Sequence, residues 1–322
     1  MFTSCLDYNA DILNSAALFL SIKQNYRNLS NITTTKLDPN WITGFTDAEG
    51  CFTVSLSKLF NKKWRAIVAF EINLHIKDIE ILYLIKNFFG VGNIYSSEKR
   101  SRCVYRVTNI EDLSNVIIPH FTKFTLLTEK YSDFILWSKV VELMSLKQHL
   151  TSTGLKAILT YYASINKGIS DSISKAFSDI KPANRTKPVL PHTLNPYWVS
   201  GFTAGDGGFS IGIRPITGQI YFRFHITQHS RDILLMNLLI TFFKCGKVHL
   251  RSNLNRCDFY IQDFNNIYNI IIPHFDLYPL NNIKHLDFSD YKKAANLFKS
   301  KGLESREEIK EIISNLNSKR KH

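Results

Sequence analysis

No two of the five cysteines in this 322-residue chain (Cys5, Cys51, Cys103, Cys245, Cys257) form a CxxC pair. Their spacing gives neither a structural zinc site nor an even disulfide framework, so reduced thiols in a reducing compartment are expected. A membrane span is also missing. The apolar run NSAALFLSI near the start is too short to cross a bilayer, has no basic flank and follows Asp7 and Asp11, which argues against a secretory signal. An Arg-rich, acid-poor transit peptide is absent too, so an organellar location would require synthesis inside the organelle or another signal. Acid is in deficit, with 27 Asp and Glu against 40 Lys and Arg, giving a net charge of +13. The basic residues are spread along the whole length, as in SEKRSR, RSNLNR and the final SKRKH. A polyanion is the natural partner, and nucleic acid stands ahead of a membrane surface because no strongly amphipathic basic helix occurs. A disordered chain is excluded by 44% apolar and 13% aromatic residues.

What is present is a repeat. DPNWITGFTDAEGCF (residues 38–52) returns as NPYWVSGFTAGDGGF (195–209), residue on residue. After one loop indel the match continues: FEINLHIKDIEIL answers FHITQHSRDILLM, FFGVG answers FFKCG, RCVYRV answers RCDFYI, and NVIIPHF answers NIIIPHF. The chain is a tandem duplication.

Each copy opens with an N-capping Asp38 or Asn195 and a proline at the first helical position, which predicts a helix running to the glycine after the acid. Phe52, Val54 and Leu56 then alternate with Thr53, Ser55 and Ser57, and Phe209, Ile211 and Ile213 alternate with Ser210, Gly212 and Arg214, as half-buried strands do. A helix around KDIEILYLIKNFF, a second strand pair from Gly92 to Val107, a helix near EDLSNVIIPHF and another from Lys130 complete an αββαββα unit. The fold class is α+β, with two pseudo-symmetric units. The expected divisions are an extension (1–37), a first domain (38–165), a linker (166–194) whose prolines suit an extended path, a second domain (195–317) and a basic tail (318–322).

The duplication sorts the acids. An acid essential to chemistry performed in both halves should recur in both. Asp47 corresponds to Ala204 and fails; Glu49 corresponds to Asp206 and passes. Gly44 and Ala48, like Gly201 and Gly205, put small residues four apart on each opening helix, which lets two helices approach closely and brings Glu49 and Asp206 together. Two carboxylates at a pseudo-two-fold axis repel unless a divalent cation sits between them, and hard oxygen ligands favour Mg²⁺. Metal-assisted phosphodiester hydrolysis is the chemistry such a pair supports.

TGFTDAEGCF and SGFTAGDGGF resemble the paired motifs of the LAGLIDADG homing endonucleases, and the layout resembles the single-chain class encoded in fungal mitochondrial introns. The resemblance spans Asp38 to about Asn317. It implies a saddle of two antiparallel sheets in the DNA major groove, with the motif helices at the interface. It further implies a monomeric, site-specific double-strand endonuclease that promotes intron homing, with a target of roughly 20 base pairs and 3′ overhangs. Glu49 and Asp206 would ligate Mg²⁺ (or Mn²⁺ or Ca²⁺) together with the Ala48 and Gly205 carbonyls. Lys130 (in LLTEK) and Lys284 (in PLNNIK) would be the catalytic lysines near the scissile phosphates. The double-stranded DNA target is the implied partner, and the mitochondrion the implied location ahead of the chloroplast. An intron RNA maturase, which would bind its own intron RNA, is the alternative; retention of both acids favours cleavage.

By strand parity the groove-facing readers are Thr53, Ser55, Ser57, Arg65, Asn73, Arg102 and Arg106 in the first copy. In the second they are Ser210, Arg214, Tyr221, Arg223, Thr227, His249, Arg251, Arg256 and Tyr260. Arginine pairs bidentately with guanine, whereas serine and threonine discriminate less. His75, His229, His120 and His274 are expected to be caps or core-edge hydrogen bonders, and Trp41 and Trp198 to be core.

Overall fold

A computed structural model describes residues 36–58, 64–252 and 254–316. The extension's apolar run, its Cys5, Asp7 and Asp11, and the basic tail lie outside the described residues. Among the described residues no helix is long and apolar enough to cross a membrane.

The first repeat begins with α1 (Pro39–Glu49), started by Asp38, whose carboxylate accepts the Asn40 N–H at 2.8 Å. Strands β1 (Gly50–Lys58) and β2 (Trp64–His75) follow, then α2 (Ile79–Phe89), β3 (Asn93–Ser97) and β4 (Arg102–Val107). Helix α3 is built from Ile110–Asp112, a wider turn at Leu113–Ile117, and Ile118–Lys123. The wide turn sits directly before Pro119, which has no N–H with which to continue an ordinary ladder. Helix α4 (Lys130–Ser145) closes the unit.

The second repeat runs through the same order: α7 (Pro196–Asp206), β5 (Gly207–Ile213), β6 (Ile220–His229), α8 (Ile233–Phe243), β7 (Lys247–Leu250), β8 (Arg256–Ile261), α9 and α10 (Lys284–Lys301). Helix α9 (Phe264–Asn266, Ile267–Ile271, Ile272–Leu277) has its wide turn in the same place, before Pro273. The αββαββα expectation holds in both copies.

The two sheets are antiparallel, with strand orders β1-β2-β4-β3 and β5-β6-β8-β7. Register pairs Phe52 with Phe70 and Phe209 with Phe224, so equivalent inward faces carry equivalent aromatics. Phe52 packs on Phe70, Phe121, Phe134 and Trp137 at centroid distances of 5.1 to 5.5 Å. Phe209 does the same with Phe224, Phe275, Phe288 and Tyr291 at 5.2 to 5.5 Å. Fully burying one such side chain stabilises the fold by about 1.5–3 kcal/mol, and these clusters leave each sheet's other face open.

Three helices were not anticipated: α5 (Ser152–Tyr162), α6 (Asp171–Ala176), which interrupts the stretch read as linker, and α11 (Arg306–Asn315) after the second repeat. They lie outside the duplicated pattern, so the repeat carried no signal for them. From Phe177 to Asn195 the chain has no regular element. It is nonetheless pinned: the Arg185 guanidinium donates to Asp133 at 2.7 Å and to the Glu129 carbonyl at 3.2 Å. Strand β5 ends at Ile213, so Arg214 lies in the hairpin turn and not in the strand.

Candidate active site

Helices α1 and α7 pack backbone against backbone. A Cβ on Gly44 would stand 2.1 Å from the Trp198 carbonyl oxygen, and one on Gly201 2.0 Å from the Trp41 carbonyl oxygen. Further along, a Cβ on Gly205 would meet the Ala48 methyl at 2.3 Å and come within 3.4 Å of Glu49 Oε1. The small-residue reading of this interface is correct, and it leaves Glu49 and Asp206 side by side at the C-terminal ends of the two helices.

The half-buried carboxylates share one electrostatic neighbourhood. Burial raises the Glu49 pKa, and the Lys130 and Lys284 ammoniums oppose that rise. Asp206 is pushed up to about 6, first by burial and then by the Glu49 charge; both lysines and the Gln228 amide counteract this. Gln228 Nε2 donates to Asp206 Oδ2 at 3.0 Å. Among the described residues no cluster of three or more His, Cys, Asp or Glu forms a metal cage. Any ion here would therefore rest on two carboxylates, backbone oxygens and whatever the substrate supplies.

Lys130 and Lys284 are not surface lysines. Lys130 Nζ donates to the carbonyls of Thr46 (2.8 Å) and Ala48 (3.2 Å). Lys284 Nζ donates to those of Thr203 (3.1 Å), Gly205 (2.9 Å) and Gly207. Each ammonium thus closes the last turn of a motif helix, where the macrodipole favours a cation, and both ammoniums act on both acids. Burial lowers both lysine pKa values, with the surrounding carboxylates pulling the other way. The Ala48 and Gly205 carbonyls each take one of these bonds, leaving each oxygen a second lone pair.

Asp47, which fails the recurrence test, has a different task. It is 2% exposed and accepts the Leu127 and Thr128 N–H groups (2.9 and 3.0 Å), the Thr128 hydroxyl (2.6 Å) and the Trp198 indole N–H (2.8 Å). It ties the turn before α4 to α1 and to the second repeat. The histidines behave as expected. His75 and His229 cap short turns by accepting the Lys77 and Arg231 N–H groups. His120 and His274 lie by Thr43 and Ser200, with burial holding their pKa values down to about 4.

On the open sheet faces the register sets Thr53, Ser55, Ser57, Arg65, Asn73, Arg102 and Arg106 on one side of the first sheet. Ser210, Tyr221, Arg223, Thr227, His249, Arg256 and Tyr260 share one side of the second. Arg251 lies just past β7. Two acids on these faces escaped the sequence reading. Glu71 binds Arg106 at 2.9 Å and accepts from Asn73 at 3.3 Å; Asp258 takes a bidentate pair from Arg251 (2.6 and 2.8 Å) and the Thr227 hydroxyl at 2.6 Å. Arg223 stacks over the Tyr260 ring at 4.9 Å. Strand parity places both acids on these faces.

Asp78 and Asp232 were also passed over, although they correspond in the repeat (KDIEIL and RDILLM) and meet the recurrence test that selected Glu49 and Asp206.

The sequence profile of the LAGLIDADG endonuclease family matches residues 42–141 and 199–295, once per repeat. The chain is similar to a probable intron-encoded endonuclease 2 of Neurospora crassa, 38% identical over 297 residues, covering 88% of this chain and 65% of that protein. It is also similar to probable intron-encoded endonuclease 3 of the same fungus, 35% identical over 276 residues, covering 82% of this chain and 51% of that protein. It thus spans only part of the length of these curated relatives. Among solved structures it resembles the LAGLIDADG homing endonuclease I-SmaMI bound to cleaved DNA, with a TM-score of 0.84 and 36% identity over 89% of this chain and 99% of that one. The same endonuclease bound to uncleaved DNA target in the presence of calcium ions matches with a TM-score of 0.83 at 35% identity, over 88% of this chain and 99% of that one.

Proposed function

The chain belongs to the LAGLIDADG endonuclease family, and from that premise we propose that it is a site-specific double-stranded DNA homing endonuclease. It acts as a monomer, cuts a target of roughly 20 base pairs with 3′ overhangs, and works in the mitochondrion. The observation that carries this reading is the pairing of Glu49 with Asp206, one acid from each repeat, with the partly buried Lys130 and Lys284 acting on both. Two pseudo-symmetric acids suit two antiparallel strands.

The donor set fits a hard divalent cation. Glu49 and Asp206, with the second lone pairs of the Ala48 and Gly205 carbonyls, offer oxygen only, and the mutual repulsion that lifts Asp206 is what such an ion would relieve. Mg²⁺ is the physiological choice, with Mn²⁺ or Ca²⁺ able to take the same ligands. When bound, the ion lowers the pKa of an attacking water and offsets charge on the phosphate. The chain's own residues do the rest. Lys130 and Lys284 fix the ends of α1 and α7, so that each acid is presented at a set depth, and hold a positive charge where a phosphate arrives. Gln228 orients the Asp206 carboxylate. The open faces, with Arg65, Arg102, Arg106, Arg223 and Arg256, supply phosphate and base contacts.

The test is selection of cleaved sequences from a randomised duplex library with Mg²⁺, followed by plasmid linearisation at the selected site. Linearisation with Mg²⁺ and none with EDTA is expected. Failure to select any cut sequence, with or without Mn²⁺ in place of Mg²⁺, overturns the proposal.

A further inference from the structure

Helices α4 and α10 share a peculiarity. Each begins at the lysine of the site, and the N-cap residues Glu129 and Ile283 supply no side-chain cap, though Thr128 Oγ1 accepts the Lys130 N–H at 3.3 Å. The amides that open a helix need acceptors, and at the residue before each lysine the other repeat offers one. The Glu129 N–H, immediately before Lys130, donates to Asp232 Oδ1 at 2.7 Å. The Ile283 N–H, immediately before Lys284, faces the Asp78 carboxylate and favours its charged form. Asp232 belongs to the second repeat and serves the first repeat's lysine; Asp78 belongs to the first and serves the second's.

We propose that Asp78 and Asp232 are reciprocal positioning residues, each reaching across the repeat boundary to set where the other half's lysine stands against its acid. This rests on the reading of Lys130 and Lys284 as members of the site. Asp232 is 6% exposed, and Asp78 Oδ1 is a buried atom with no partner among the described residues. Burying carboxylates at a boundary is costly unless they are paired, and both recur in the duplication. A structural filler would not need to be an acid twice.

Both acids stand at the end of a short turn leaving β2 or β6, and His75 and His229 cap the starts of those turns. The opposite end of each connection is therefore an open-face strand. A displacement of β2 would move Asp78, then the start of α10, then Lys284, so each sheet is linked to the strand cut of the other half.

The two links are not equal. The turn before Lys130 is also held by Asp47 through Leu127 and Thr128. The equivalent turn before Lys284 faces Ala204, and there Asn282 Nδ2 donates to the Ala204 carbonyl at 2.9 Å. Loss of Asp78 is therefore expected to matter more than loss of Asp232.

The experiment follows each strand separately on a supercoiled plasmid carrying the selected target, using the full chain. Lys130→Ala and Lys284→Ala identify which strand each lysine serves. Asp78→Ala is expected to slow the strand served by Lys284 at least ~10-fold relative to the other, and Asp232→Ala the Lys130 strand by a smaller factor, with DNA affinity in Ca²⁺ unchanged within ~2-fold. Asp78→Asn and Asp232→Asn, which keep an oxygen acceptor, are expected to restore most of the lost rate and also serve where the alanine variants fold poorly. Equal slowing of both strands, slowing of the same-repeat lysine's strand, or no slowing in folded alanine variants overturns the inference while leaving the endonuclease reading intact. A wild-type protein that cuts neither strand overturns that reading and this inference with it.

Discussion

The Trp198 indole N–H donates to Asp47 Oδ2 at 2.8 Å across the repeat boundary, whereas the equivalent Trp41 indole N–H has no partner among the described residues. The cause is one substitution: the position of Asp47 is Ala204 in the second copy. The α1–α7 contact is two-fold in its backbone and one-sided in its carboxylate–indole bond.

Asp47→Ala is therefore expected to be a folding defect, not a catalytic one. It strands two backbone N–H groups, a hydroxyl and an indole, and should cost about 3–5 kcal/mol by urea denaturation. Glu49→Gln should cost less than about 1 kcal/mol, because it removes a charge that burial already disfavours. A reversed order of the two variants would contradict the division of labour between these acids.

Glu49→Gln and Asp206→Asn are each expected to abolish double-strand cleavage while DNA binding persists. Electrophoretic mobility and plasmid linearisation separate the two readouts. Full linearisation by either variant with Mg²⁺ present would remove its acid from the site.

Gly44→Ala and Gly201→Ala each place a methyl 2.1 or 2.0 Å from a backbone carbonyl of the facing helix. Backbone cannot yield as a side chain can, so the helices must separate, at a cost of about 1–3 kcal/mol or more. Thermal denaturation and cleavage should fall together in both variants; a folded, fully active Gly201→Ala protein would show that the contact is not as close as described.

Asp232 gives the pH dependence. Burial raises its pKa to about 6, the Glu129 N–H and Arg231 counteract this, and Asp47 and Glu129 add to it. The folded state therefore keeps a proton that the unfolded chain has released, so stability from this group is present at low pH and lost as pH rises from about 4 to about 6. A shift of this size corresponds to at most about 3 kcal/mol. Asp232→Asn lacks the effect, so its stability relative to wild type should rise between pH 4.5 and 7. A constant difference across those buffers would place the Asp232 pKa at its ordinary value.

DNA affinity should fall at least ~10-fold between about 50 and 200 mM salt, because phosphate neutralisation releases counterions. Arg65→Ala should reduce the log–log slope by about one where that residue meets a phosphate. A flat response would exclude the cationic sheets as the binding surface.

The repeat made most of the fold legible, because a helix cap, a strand alternation and a proline block each occurred twice and could be checked against one another. It also selected Glu49 and Asp206. The helices α5, α6 and α11 occur once and had no second copy to expose them. Asp78 and Asp232 were missed for a different reason. Each makes its contact with the other half, to a residue about 205 or 103 positions away, and no local pattern predicts a helix cap supplied from such a distance. The lysines were found, but their burial was not, because their partners are backbone carbonyls that sequence does not single out.

The single buried carboxylate at the α1–α7 boundary means that the halves are not interchangeable parts. A hybrid of two first repeats would put an acid opposite each indole and bury two carboxylates. A hybrid of two second repeats would strand two indoles with none. Anyone recombining halves to change target sequence must carry the Asp47–Trp198 match along with the sheets, whatever DNA those sheets are chosen to read.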